Sequence, residues 1–133
     1  MQPSPELRDV INGWFESVAN GDTSWPDRYV SQMAAVRLVG TDPNEWVAGE
    51  KVAAFLKEEA GAMGGVVKVS LGETEAYQEG SVGWGITQPT LVLPNGKQFS
   101  PRWAAVFHQE AGEWKLVQLH ASVGIPNEEL LAM

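Results

Sequence analysis

Apolar positions in the first twenty residues recur at three- and four-residue spacing: Leu7, Val10, Ile11, Trp14, Phe15 and Val18 make one continuous stripe. That period belongs to a helix with one buried face. It predicts a helix over 4–19, with Ser4 as cap, Pro5 in the first turn, and Glu6 and Asp9 at its positive end. Asn20-Gly21-Asp22 stops it. A second, short helix is expected from Asp22 to Val30, with Trp25 and Tyr29 on one face. Met33 to Val39 reads as a strand, and Gly40-Thr41-Asp42-Pro43-Asn44 as a loop. The stripe Val52, Phe55, Leu56, Ala60 and Met63 predicts a third helix over about 50–62, closed by Gly61, Gly64 and Gly65.

Beyond residue 65 the pattern changes to strands. Four are expected, over 66–77, 81–93, 99–109 and 114–123. Glu79-Gly80, Pro94-Asn95-Gly96-Lys97 and Glu110-Ala111-Gly112-Glu113 are their turns. Pro126 opens a short terminal helix. Helices followed by a run of strands indicate one α+β domain over 1–133, three N-terminal helices lying on a curved antiparallel sheet. Gly80, Gly83 and Gly85 could supply the bends. The last strand is unusual because both faces are largely apolar. One carries Trp114, Leu116, Gln118, His120 and Ser122; the other carries Lys115, Val117, Leu119, Ala121 and Val123. A strand with one solvated face alternates cleanly. The sheet is therefore expected to be covered on both sides, by helices on one and a second copy of the chain on the other.

Composition narrows the function classes. With 133 residues the chain buries enough surface to fold without staples, and with no cysteine it has no thiolate chemistry. A net charge of −8 leaves no basic stripe for nucleic acid or an anionic membrane. Met1 to Glu6 lacks the basic and apolar regions of a signal peptide, and no run is long enough to span a bilayer, so a cytoplasmic protein is expected.

Four groups of residues carry a family resemblance. They are Asn20-Gly21-Asp22; Gly40-Thr41-Asp42-Pro43 with Glu45-Trp46 and Gly49; Tyr77 with Glu79-Gly80 and Gly83-Trp84; and Gly112-Glu113-Trp114-Lys115 with His120 and Ser122. In this order the chain resembles the SnoaL-like branch of the nuclear transport factor 2-like superfamily. The resemblance implies a cone-shaped α+β barrel with an internal pocket, and a homodimer through the convex sheet face. Ketosteroid isomerase-like members place a carboxylate base after the first strand and a tyrosine on the first helix; here those places hold Gly40 and Trp14. Neither the Tyr, His and Asp cluster of scytalone dehydratase-like members nor the Asp-Arg-Asp set of limonene epoxide hydrolase-like members is found. The final strand also resembles that of the association domain of calcium/calmodulin-dependent kinase, with His120 and Ser122 matching and its pocket arginines falling on Ala105 and Ala121.

Candidate chemistry is sparse. His120 and Ser122 share a strand face, but two strand rises, roughly 6–7 Å, separate them beyond a direct bond. The plainer reading is a structural histidine and a strand-end hydroxyl at the dimer interface. Arg102, on the same strand face as His108, could clamp a carboxylate or pair with a glutamate. Asp42 in its Thr-Asp-Pro turn is explained by capping. Trp14, Tyr29, Trp84, Trp103 and Phe107 are the expected pocket lining, suited to a flat or apolar ligand or to an ordinary aromatic core. Two histidines without ligand spacing give no metal site, and no cofactor is implied. Glu58-Glu59 and Glu128-Glu129 read as solvated helix faces. The expected function is small-molecule binding in an aromatic cavity. The alternatives are an isomerase, dehydratase or cyclase on an apolar or polycyclic substrate, with His120, Arg102 and Asp42 tested first, and a plain dimerisation module.

Overall fold

The first helix forms where its stripe predicts. In the computed structural model, which describes residues 1–132, α1 spans Pro5–Asn20. The Leu7 N–H donates to Ser4 Oγ at 3.3 Å, and Gly21 ends the helix at φ 70°, in the left-handed region that glycine takes freely. Leu7, Ile11, Trp14, Phe15 and Val18 are all buried. The second helix, α2, is shorter than its expected range, Trp25–Tyr29, with Pro26 in its first turn. Trp25 anchors it by donating its indole N–H to the Val10 carbonyl at 2.9 Å. The third, α3, spans Lys51–Met63 and buries Val52, Ala53, Leu56 and Ala60.

The strands run in chain order β1 (Gln2–Pro3), β2 (Arg37–Val39), β3 (Trp46–Ala48), β4 (Lys68–Ser70), β5 (Thr74–Glu79), β6 (Val82–Thr87), β7 (Thr90–Val92), β8 (Gln98–Phe99), β9 (Arg102–Glu110) and β10 (Glu113–Ser122), before the short α4 (Asn127–Leu131). Seven form the main sheet, in the order β1-β5-β6-β9-β10-β2-β3, and β4-β7-β8 form a second. All pairs are antiparallel except β2 with β10. The α+β architecture is the expected one, with helices packed on a mostly antiparallel sheet.

Three of the long strands expected from the sequence are each broken in two. The breaks fall at 71–73, at 88–89 and at 100–101, where Gly72, Pro89 and Pro101 stand. Proline has no N–H for the ladder. Gly72 meets the second break directly, since a Cβ on it would lie 2.3 Å from the Gln88 carbonyl oxygen. The broken tips are β4, β7 and β8, which leave the main sheet and bring Leu91 and Phe99 to the cavity described below.

Two expectations about the sheet need correction. The pairing of β9 with β10 slips by one residue between Leu116 and Gln118. This bulge exchanges the faces, so Trp114, Leu116 and Leu119 are all buried while Gln118 and His120 are exposed. The two apolar faces of the last strand are thus one core face read through a phase change, not evidence of burial on both sides. Gly83 and Gly85 likewise carry no bulge, since β6 pairs with β5 and β9 in unbroken register. Cβ atoms on them would lie 2.7 Å from Leu7 Cδ2 and 2.2 Å from Ile11 Cδ1, so they admit α1 close against β6. Gly85→Ala is expected to cost about 1–3 kcal/mol of stability through overpacking. Urea denaturation checks this, and an unchanged midpoint would contradict it.

Candidate functional site

The N-terminal half of α1 sits tightly on the glycines of β6; its C-terminal half does not. Trp14, Phe15 and Val18 instead border a cavity of about 130 Å³ between α1, α3 and the sheet. Phe55, Leu56 and Met63 from α3 close it, with Leu38 from β2, Leu91 from β7 and Phe99 from β8. Trp103 from β9 and Leu119 and Ala121 from β10 form its floor. Phe15 and Trp103 meet edge to face, centroids 5.6 Å apart at 70°. Ala121 lines the wall, and Ala105 is buried in the core.

Three polar side chains reach this apolar wall: Thr41, Glu45 and Glu59. Glu59 lies on the buried side of α3, and the reading of Glu58-Glu59 as a solvated pair holds only for Glu58. Its helical register is the signal in the sequence: it sits four residues after Phe55, three after Leu56 and four before Met63, inside the apolar stripe. Burial pushes its carboxyl up to about 7, and the neighbouring Glu45 carboxylate adds to the rise. Glu45 is folded back over Gly40. A Cβ at position 40 would lie 2.2 Å from Glu45 Oε1, so only glycine leaves the carboxylate room. The Asp42 N–H donates to Glu45 Oε1 at 3.2 Å, and backbone bonds Gly40 N–H to Glu45 O (2.8 Å) and Glu45 N–H to Asp42 O (2.9 Å) close the loop.

The structure divides the sequence-derived candidates among several places. Trp14 and Trp103 line the cavity. Phe107 is fully buried in the core beneath α1, away from the lining. Tyr29 borders a separate groove with Trp25 and Arg28, whose guanidinium lies 5.0 Å over its ring. Trp84 is on the outer sheet face, stacked on Tyr77 at 5.0 Å. Arg102 and His120 are also exposed on that face, where Arg102 Nε donates to Ser122 Oγ at 3.2 Å. His108 turns to Glu110 on its own strand. Asp42 is exposed in its loop and accepts from the Asn44 N–H at 2.8 Å, the capping role its turn suggested. Among the described residues no group of three His, Asp or Glu could hold a metal ion.

The raised carboxyl has a consequence for stability. Between pH 4.5 and 7 the folded chain holds a proton on Glu59 that the unfolded chain has released, so this group's contribution falls as pH rises and is gone above about 7. Glu59→Gln mimics the protonated form. It is expected to match the parent near pH 4.5 and exceed it by about 1–3 kcal/mol at pH 8, after allowance for partial solvation. Urea denaturation across this range checks it, and equal stability at pH 8 would contradict it.

A SnoaL-like domain model matches residues 7–126. No curated protein matches the chain. Solved structures share the fold. A nuclear transport factor 2-like protein of unknown function from Pseudomonas putida KT2440 is 15% identical, covering 93% of this chain and 88% of its own, with a TM-score of 0.77. A candidate dehydratase of the same family from Streptomyces avermitilis is 14% identical over 91% and 95%, with a TM-score of 0.75. The association domain of calcium/calmodulin-dependent protein kinase II from C. elegans is 13% identical over 89% and 93%, with a TM-score of 0.68. With nearly the whole chain matched, this protein belongs to the SnoaL-like domain family.

Proposed function

We propose that this protein binds one small apolar molecule, of about single-ring size, in the cavity between α1, α3 and the sheet. The observation that carries the reading is the cavity itself, walled by Trp14, Phe15, Phe55, Phe99 and Trp103 with one largely buried carboxyl, Glu59. Binding sites combine apolar walls with a few placed polar groups in this way. Its volume of about 130 Å³ is close to that of an apolar cavity of roughly 150 Å³ that takes up benzene. A polycyclic ligand would need the walls to move.

A second copy of the chain belongs to the same reading, set against the outer sheet face. Tyr77, Trp84 and Val106 follow one another across β5, β6 and β9, with Ile86 exposed beside them. Glu75, Arg102, His120 and Ser122 form a polar surround, the usual arrangement of an interface. The likeness to an association domain supports it.

The alternative is an enzyme of the isomerase or dehydratase kind. Its ground is Glu59 in the cavity wall, whose carboxyl, pushed up to about 7 by burial, can both take and give a proton at neutral pH. Glu59 then takes the role first considered for His120, Arg102 and Asp42, which lie outside the cavity.

Fluorine NMR of 4-fluorotoluene tests the binding reading. The wild-type protein is expected to broaden the ligand signal, and Ala121→Phe, which fills the cavity, to abolish the effect while remaining folded. Sedimentation of the same samples is expected to give a dimer. No broadening with wild type would overturn the binding reading; a monomer would overturn the interface.

A further inference from the structure

The cavity's charge is one-sided. Its ionisable lining groups are Glu59 from α3 and Glu45 from the β2–β3 loop. The other elements around it contribute uncharged side chains, among them Trp14 and Phe15 from α1, Leu38 from β2, Phe99 from β8, Trp103 from β9 and Leu119 from β10. Among the described residues no lysine, arginine or histidine lines the cavity to compensate the two acids. Glu59 receives no hydrogen bond and makes no ion pair among the described residues, and Glu45 Oε1 accepts only from the Asp42 N–H. Both carboxylates therefore retain free acceptor positions at the edge of an aromatic chamber.

We propose that this cavity selects a small amine, its ammonium held by Glu59 and Glu45 and its apolar body against Trp14, Phe55 and Trp103. The proposal rests on the reading that the cavity binds a small apolar molecule, and it names the class. An ammonium brings three N–H donors, enough to serve both carboxylates, and its charge cancels their repulsion. The aromatic faces add cation–π attraction. A bare divalent cation is a poorer fit, because it needs six or more oxygen ligands and these walls are carbon. A carbonyl compound has no donor for Glu45, and an alcohol has a single O–H for one carboxylate and no charge to offset the pair.

Ionisation gives the proposal a pH signature. An amine with an ordinary pKa stays cationic through neutrality, whereas Glu59, pushed up to about 7, must lose its proton to receive it. Amine affinity is expected to rise about tenfold from pH 6 to pH 8, following the ionised fraction of Glu59. A neutral ligand that accepts from the protonated form would weaken instead.

The experiment compares 4-fluorobenzylamine with 4-fluorobenzyl alcohol by fluorine NMR titration at pH 6 and pH 8, on wild type, Glu59→Gln and Glu45→Gln. The expected result is at least a tenfold preference for the amine at pH 8. That preference should be lost in Glu59→Gln and reduced in Glu45→Gln, while alcohol binding persists in both. Equal or tighter binding of the alcohol to wild type, or an amine preference that survives Glu59→Gln, would overturn the proposal and leave the cavity reading standing. Failure of both probes to bind would overturn the two together.

Discussion

The seating of α1 on β6 decides where this protein has space. Leu7 and Ile11 descend onto Gly83 and Gly85, positions where a single methyl would collide with them. That contact fixes the near end of the helix against the sheet. Further along, Trp14, Phe15 and Val18 face Trp103 and Leu119 across a gap that their bulk narrows but does not fill. The folded-over strands β7 and β8 cover the gap's end with Leu91 and Phe99. A cavity in a small domain is costly, because its lining atoms forgo packing contacts. Here the tight glycine contact and a continuous core through Phe107, Leu116 and Leu56 surround it.

Into that space the described residues place two carboxyls and no cationic side chain. A buried carboxylate without a partner is expensive, and the protein resolves the cost by holding Glu59 close to half protonated at neutral pH. Gly40 is part of this arrangement, since its missing side chain lets Glu45 fold back beside the cavity. Position 40 is thus glycine, with the carboxylate of Glu45, five residues further along, lying over it.

Much of the architecture was legible in the sequence because it follows from periodicity. The stripes of α1 and α3, the Ser4 cap and the turns between strands are local signals, and each appears where its pattern falls. What was not legible depends on how segments meet. The bulge between Leu116 and Gln118 is hidden because apolar residues lie on both sides of the phase change. The breaks at Gly72, Pro89 and Pro101 are visible as residues, but their alignment into a folded-over sheet is a property of pairing. Trp14, Tyr29, Trp84, Trp103 and Phe107 read alike as aromatic lining, yet only Trp14 and Trp103 of these border the cavity; Tyr29, Trp84 and Phe107 face a groove, the outer surface and the core. Glu59 is hard to read because an adjacent pair of glutamates looks solvated, although its place within the α3 stripe marks it as inward.

Glu59 is a desolvated carboxyl, paired with Glu45, at an aromatic cavity. Its side-chain carboxyl carbon can be followed by carbon-13 NMR from pH 4 to pH 9, with Glu59→Gln to assign the signal. The expected midpoint for Glu59 is near 7, moving down when Glu45 is changed to Gln. A midpoint in the ordinary glutamate range, about 4.3, would place the group in water and contradict the account.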